Sequence, residues 1–482
     1  MTITILERDE VGHVQKTYLW GSNRVVQRHH LTKPIDIHSF KVLTNIFLPS
    51  GYPASVSPDY LHYQIYNSLQ AFCSSLAGLI ASRATLEGFG VGNASASATH
   101  ALLLTVLQDA FSRLTTIVAA YYIGTSLFPE AKTYRLLADI LNDAAITLDA
   151  LSPLLDSVYI PFDVPWSFPG SASGLRIAAL CLSGSLRALC GVAAGGSKSA
   201  LTLHFATPEK GVGDLGEINA KDASKETVLS LFGMLLGSLL VPQLTTLRST
   251  CTVLSLLLVC HLAANYTAVR GVVLRSLNKQ RAGIAWTLYR ANAFASPDCR
   301  NGIIAETLTP KAIASRERIF EWPGLLRNGC TDKVMGHCTI GSSFSTVLPD
   351  YANCESLLRV FRSERYLLCF DPRSVPRSTR LRLHICLKEG HTPLDQLKAW
   401  VHSEEIGRVW AEHLVDGKDE PHAVIEATYQ VVNGHFAAFV EHMRDLGWNL
   451  DEGALMTGTP KAVFVSADEV VDVTFDPEKK YI

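Results

Sequence analysis

TVLSLFGMLLGSLLVPQLTTL, from Thr227 to Leu247, and STCTVLSLLLVCHLAANYTAV, from Ser249 to Val269, are each about 21 residues long and carry no formal charge. Glu226 and Arg248 bracket the first, Arg248 and Arg270 the second. At 1.5 Å rise per residue, ~20 apolar residues cross the ~30 Å hydrocarbon core of a bilayer. The pair therefore predicts membrane-type helices, against the alternative of a soluble bundle with a very apolar core. Gly233 and Gly237 form a GxxxG step, as do Gly191 and Gly195, a spacing that lets helices approach closely. Pro242 is expected to kink the first of the two stretches.

Working outward, helical patterning covers about six segments near 58–87, 99–127, 131–155, 173–205, 224–248 and 250–277. The expected fold is mainly α: a polytopic membrane-type helical bundle, followed by a smaller α+β C-terminal domain. Residues 1–45 read as a short β-rich or irregular N-terminal segment, with a strand near Thr2 to Leu6. Residues 46–290 form the helical membrane domain. Residues 291–360, rich in Gly, Pro, Ser, Asn and Cys, read as a connector with short helices. In 361–482, strands are expected at Arg365–Phe370, Leu381–Leu387, Ala462–Val465 and Val470–Phe475. Thr392–Pro393 starts one helix, with proline at its first position, and another runs from about Ala427 to Leu446.

Composition agrees with this division. Of 482 residues, 48% are hydrophobic and only 18% charged, below the usual quarter for soluble domains. The net charge of −2, with dispersed basic residues, argues against a nucleic-acid partner. The N-terminal stretch resembles neither a secretory signal nor a transit peptide. Eleven cysteines without a CxxC pair read as small buried hydrophobes in a reducing compartment. Cys330, His337, Cys338 and Cys354 fit no usual zinc spacing, so no metal and no cofactor are expected.

The apolar block carries polar side chains in helical register. Tyr60, Tyr63, Gln64, Asn67 and Gln70 share one face of the first segment, with Leu61, Ile65 and Leu69 opposite. A soluble protein would turn such a stripe to water, a membrane bundle toward its interior. In the third segment Lys132, Arg135, Asp139 and Asp143 share a face, and Arg135 and Asp139 form an i, i+4 pair. In the fourth, Arg176, Arg187 and Lys198 recur every eleven residues, almost three turns, unless Gly195–Gly196 breaks the helix. Cations there need carboxylates, an anionic ligand or water, and Asp109, Asp139 and Asp143 are the expected partners. Lys221, Asp222 and Glu226 open the fifth segment as a gate or a cap.

Catalytic motifs do not emerge. GVAAGGSKS (Gly191 to Ser199) has Ser197 inserted before Lys198 and follows a helix, so it is no phosphate loop. GFGVGN (Gly88 to Asn93) reads as a turn. His100, His204 and His261 are expected to be packing residues, and neither Asn93 nor Asn265 a used glycosylation site.

Five long signatures carry a resemblance: FLPSGYPASVSPDYLHYQIYNSLQAFCS from Phe47, AKTYRLLADILND from Ala131, GVAAGGSKSALTLHFA from Gly191, AKDASKETVLSLFGMLLG from Ala220, and HLAANYTAVRGVVLRSLNKQRA from His261. Together they resemble the root UV-B sensitive (RUS) protein family over about residues 46–290. The chain departs from the family at Asp109–Ala110 and Thr115–Thr116. The resemblance implies a membrane-associated protein linked to UV-B responses and pyridoxal-phosphate balance, with no established catalytic activity. The order of elements also resembles one six-helix half of a major facilitator transporter, so a homodimer or a family paralogue would supply a second half.

The function expected from these readings is non-enzymatic: an intracellular membrane protein that binds or transports a small polar or anionic metabolite. Arg176, Arg187 and Lys198 would supply positive charge. Tyr60, Gln64 and Asn67 would orient the ligand, and Arg135, Asp139 and Asp143 would complete the wall. The alternatives are a membrane adaptor recruiting partners through the C-terminal domain and a soluble regulator of vitamin metabolism.

Overall fold

The computed structural model describes residues 3–8, 14–21, 24–28, 46–88, 98–157, 174–208, 211–293, 306–344, 354–371, 381–413, 421–457 and 462–463. They form two compact units, one of residues 1–276 with 309–320, the other of 277–308 with 321–482. The division falls at Ser276, whereas the sequence reading placed it near 290.

The first unit begins with an antiparallel meander of β1 (Ile3–Arg8), β2 (Val14–Gly21) and β3 (Arg24–Arg28). Its bulk is helical: α1 (Tyr60–Gly88), α2 (Ala98–Ile123), α3 (Ala131–Leu151), α4 (Gly174–Ala206), α5 (Leu215–Leu240) and α6 (Leu247–Gly271). All six expected segments are present. Among the described residues, four stretches are long and apolar enough to cross a bilayer: Ala101–Ser126, Gly174–Ala206, Leu215–Gln243 and Leu247–Gly271.

The faces of these helices are inverted relative to a water-soluble bundle. On α1, Tyr60, Gln64, Asn67 and Gln70 are buried, while Ile65 is 58% exposed and Leu61 and Leu69 are exposed with it. On α2, Leu102, Val106, Leu114, Ile117 and Tyr121 all face outward. Isolated exposed apolar residues need no explanation, but whole exposed helix faces do. The interior is tightly packed. A Cβ on Gly233 would stand 2.9 Å from the Phe72 carbonyl, and one on Gly237 would stand 2.8 Å from Leu79 Cδ2, so this GxxxG step seats α5 on α1. The Gly191–Gly195 step has no such neighbour and lies outward.

Three local expectations change. Pro242 does not kink a helix but ends it. After α5 comes a 3-10 turn, Val241–Gln243, and α6 starts afresh on a capping box of Thr246 and Ser249. Proline cannot donate to the ladder, and Arg83 Nη1 of α1 donates to the Val241 and Leu244 carbonyls at 2.6 and 3.2 Å. Second, α5 starts at Leu215, because Asp214 caps it by accepting from the Gly216 and Glu217 N–H groups at 2.7 and 3.1 Å. Third, Gly195–Gly196 leaves α4 unbroken.

The second unit is α+β. Its elements are α7 (Lys279–Ala293), β4 (Leu325–Arg327), β5 (Val334–Ile340), α9 (Cys354–Val360), β6 (Tyr366–Phe370), β7 (Leu381–Lys388), α10 (Pro393–His413), α11 (Pro421–Asp445) and β8 (Ala462–Val463); the short α8 (Pro310–Arg316) belongs to the first unit. The sheet order is β4-β5-β7-β6, with β8 joining β7 at Leu387 and Lys388. The stretch read as a connector therefore contributes two strands. VMGHCTI lacks clear alternation, and Gly336 is needed where β5 lies against Leu381 of β7, which a Cβ would meet at 2.7 Å. Asp395 and Thr392 cap α10 reciprocally, at 2.8 Å from the Thr392 N–H to Asp395 Oδ2 and 3.3 Å from the Asp395 N–H to Thr392 Oγ1. The expected turn over 89–93 and the strand Val470–Phe475 lie outside the described residues.

Candidate functional site

Inside the first unit, the polar face of α1 meets charged residues of α3, α4, α5 and α6. At the start of α1, Tyr60 donates to Asp222 Oδ1 at 2.8 Å and Gln64 donates to Asp222 Oδ2 at 2.7 Å. Lys225 donates to the Tyr60 hydroxyl at 2.8 Å, pairs with Asp222 at 3.0 Å, and lies 4.7 Å over the Tyr60 ring. Asp222 is thus an interior residue two turns into α5. The cap of that helix is Asp214 and not Asp222. Lys221 on the same helix is half-buried.

One level along, Asn67 joins two ion pairs. Its amide donates to Glu226 Oε1 at 2.8 Å, and its oxygen accepts from Arg135 Nη2 at 3.0 Å. Glu226 also holds Lys198 of α4, with both carboxylate oxygens 2.9 Å from Nζ. These two side chains are 32% and 29% exposed, so this end of the network opens outward. Arg135 is enclosed and donates to Asp139 Oδ1 at 3.0 Å and to Tyr63 Oη at 3.2 Å.

Deeper still, Asp139 accepts from the Asn265 amide of α6. His261, one turn before Asn265, sets Nδ1 2.7 Å from Asp143 Oδ1 and Nε2 3.8 Å from Asp139 Oδ2. With its amide oxygen turned toward Arg135 Nη2, Gln70 places its nitrogen 2.8 Å from His261 Nε2.

The structure therefore joins Asn67, Arg135, Asp139, Lys198 and Glu226 in one network, with Asp143 beside it through His261 and with Tyr60, Gln64, Asp222 and Lys225 as a neighbouring cluster. It does not bring Arg176 and Arg187 there. Eleven residues advance a helix about 16 Å, so the three α4 cations point alike but stand at three levels. Arg187 is half-exposed and pairs with Asp149 of α3, and Arg176 is buried near the start of α4. Asp109, expected as a partner, is exposed. Lys132 leaves the charged face of α3 to pair with Glu317 at 2.5 Å.

The sequence reading missed Lys225, Asn265 and the ionic role of His261. A signal existed: His261 and Asn265 are i, i+4 polar residues in an otherwise apolar span. Near the mouth of α1, Asp59 accepts from the Val273 N–H at 2.7 Å, from Ser57 at 2.5 Å and faces His204 Nε2 at 3.0 Å. Burial pushes the Asp59 carboxyl up, but His204, Ser57 and Val273 together hold it below the usual carboxylate range.

The second unit has a polar core of its own. Glu405 receives Trp286 Nε1 at 3.1 Å, Arg290 at 3.2 Å and Arg408 at 2.7 Å. Tyr366, His402 and Thr428 form a buried chain with steps of 3.2 and 3.1 Å. Burial pushes the His402 imidazole down to about 3 and holds the Glu404 carboxyl well above its ordinary value. Of the Cys and His residues that fit no zinc spacing, Cys338 is buried in β5, while the half-buried His337 sits 3.0 Å from the Pro323 carbonyl.

Comparison with known proteins bears on what such a unit belongs to. Residues 36–293 match a family described as a vitamin B6 photo-protection and homoeostasis domain. RUS family member 1 of Dictyostelium discoideum is 33% identical over 295 residues, 57% of this chain and 52% of that one, so the chain spans about half of that relative's length. Protein root UVB sensitive 3 of Arabidopsis thaliana is 28% identical over 421 residues, covering 86% of this chain and 84% of that protein. The Arabidopsis protein root UVB sensitive 2, chloroplastic, is 22% identical over 428 residues, 89% and 86% of the two chains. No solved structure matches.

Proposed function

The chain belongs to the root UVB sensitive family, with its vitamin B6 photo-protection and homoeostasis domain, and from that premise we propose that it is a membrane-embedded, non-catalytic protein that binds and moves a small anionic metabolite of the vitamin B6 class. The observation that carries this reading is the inverted α1, with Tyr60, Gln64, Asn67 and Gln70 buried and Leu61, Ile65 and Leu69 exposed. In lipid, apolar faces turn outward without cost and polar groups must find partners inside. The ligand's phosphate enters at Lys198, where it exchanges for Glu226, and Asn67 and Arg135 lie one step further in. Asp139 balances Arg135 when no ligand is present.

The test has two arms. The full-length chain in cell membranes should stay in the pellet after alkaline carbonate extraction. In detergent, pyridoxine 5′-phosphate, which has no aldehyde to react with lysines, should raise the unfolding midpoint of the wild type but not of Lys198→Gln. Release by carbonate refutes the membrane reading. An absent shift, or the same shift in both proteins, refutes the ligand reading.

A second reading, a membrane adaptor, is favoured by the second unit, which has its own sheet and buried core. A second copy of the chain or a paralogue would then be its partner.

A further inference from the structure

Three acids of the helical unit each meet a cation. Arg135 pairs with Asp139, Lys198 with Glu226 and Lys225 with Asp222. Asp143 is left over. It is 5% exposed and stands against a histidine that is 1% exposed. Asp143 Oδ1 stands 2.7 Å from His261 Nδ1, and among the described residues no other group donates to either Asp143 oxygen. An unpaired buried carboxylate costs several kcal/mol, and such a group sheds its charge instead.

We propose that Asp143 and His261 together hold one exchangeable proton within the bundle, so that the helical unit is a proton-binding site. Among the described residues no group of three or more His, Cys, Asp or Glu side chains is placed to hold a metal ion, whereas 2.7 Å between Nδ1 and Oδ1 is a distance over which a proton is shared.

Every neighbouring helix contributes to the field at this pair. On α3 these are Arg135 and Asp139, on α1 Gln70 and Cys73, which lies within electrostatic reach of Asp143. From α4, Cys190 reaches Asp139 and Asp143, with Arg187 next to it, and α6 adds Cys260 beside Cys73 and the amide of Asn265. Arg135 is the cation among these not set apart by its own acid at another level, and Asp139 already holds it. Gln70, its oxygen toward Arg135 Nη2, offers its amide nitrogen to His261 Nε2 at 2.8 Å, which suits an imidazole unprotonated at that nitrogen. The site does not require the ligand reading above. If both hold, an anion arriving at Lys198 adds negative charge to the same interior, and proton uptake at Asp143–His261 balances it.

Infrared difference spectroscopy of the full chain in lipid nanodiscs, without ligand, tests this over a pH series. The wild type should show one titrating signal, a carboxylic C=O band or an imidazolium band, that moves on deuteration. Asp143→Asn should abolish it, and Asp143→Glu should restore it at a moved position, which keeps the test informative if the Asn variant does not fold. A silent wild type overturns the proposal, as does a signal unchanged in Asp143→Asn. A midpoint that follows sodium concentration overturns it in favour of a metal cation.

Discussion

Replacing Arg135 with Met removes the cation at the centre of the network while nearly keeping its volume, so little cavity is created. The guanidinium donates to Asp139 at 3.0 Å, to Asn67 at 3.0 Å and to Tyr63 at 3.2 Å. All of these groups are buried. Asp139 would keep Asn265 but lose the guanidinium it pairs with, with Asp143 one turn away. Breaking one side of a buried pair costs ~3–5 kcal/mol. For a unit of this size each kcal/mol moves the midpoint by ~2–4 °C, so Arg135→Met should melt ~6–20 °C lower. Adding Asp139→Asn removes the stranded charge and should recover ~2–3 kcal/mol of that loss. The assay is thermal unfolding of detergent-solubilised full chain, followed by intrinsic fluorescence, for the four members of the cycle. An Arg135→Met midpoint within about a degree of wild type, or a double variant no better than the single, would refute the claim that these residues form a buried pair.

Two further outcomes follow from the packing and the buried groups. Gly233→Leu places a side chain where the Phe72 carbonyl and Ser75 leave no room for a Cβ. It should cost ~1–3 kcal/mol or more, whereas Gly195→Leu, which faces outward, should leave the midpoint unchanged in the same melt. In the second unit, His402 and Glu404 act in opposite directions on stability. The unfolded chain protonates His402 below 6.5 but the folded unit does not until about 3, so this histidine makes stability fall as pH falls. Glu404 keeps its proton when folded while the unfolded chain loses it above 4.5, so this acid makes stability fall as pH rises. Between those values the two slopes, each ~1.4 kcal/mol per pH unit, cancel. Glu404→Gln should therefore unmask a loss of stability on acidification, read by hydrogen exchange of the β6–β7 amides. A flat profile in that variant would show that His402 is not buried as described.

Local chemistry was enough to place the helices. Long uncharged runs, Pro242, the Thr392–Pro393 start and the i, i+3, i+4 polar stripe of α1 act over one or two turns, so the chain carries them openly. The stripe also posed the right question, water or interior, and packing answered it by turning Tyr60, Gln64 and Asn67 inward. Strands β4 and β5 were illegible because Val334–Ile340 is placed by β7, which follows some forty residues later, and the short Leu325–Arg327 pairs with β5 alone. Partner choice was equally hidden. Arg187 and Lys198 share a face with Arg176, yet which acid each meets depends on the height and rotation of α3 and α5 beside α4. That is why Asp149 and Glu226, not Asp139 and Asp143, neutralise them. Periodicity along one helix sets the direction of a side chain. Its level against neighbouring helices is set by tertiary packing, such as Gly233 and Gly237 against α1, and only that packing decided which charges are paired and which one, Asp143, is left over.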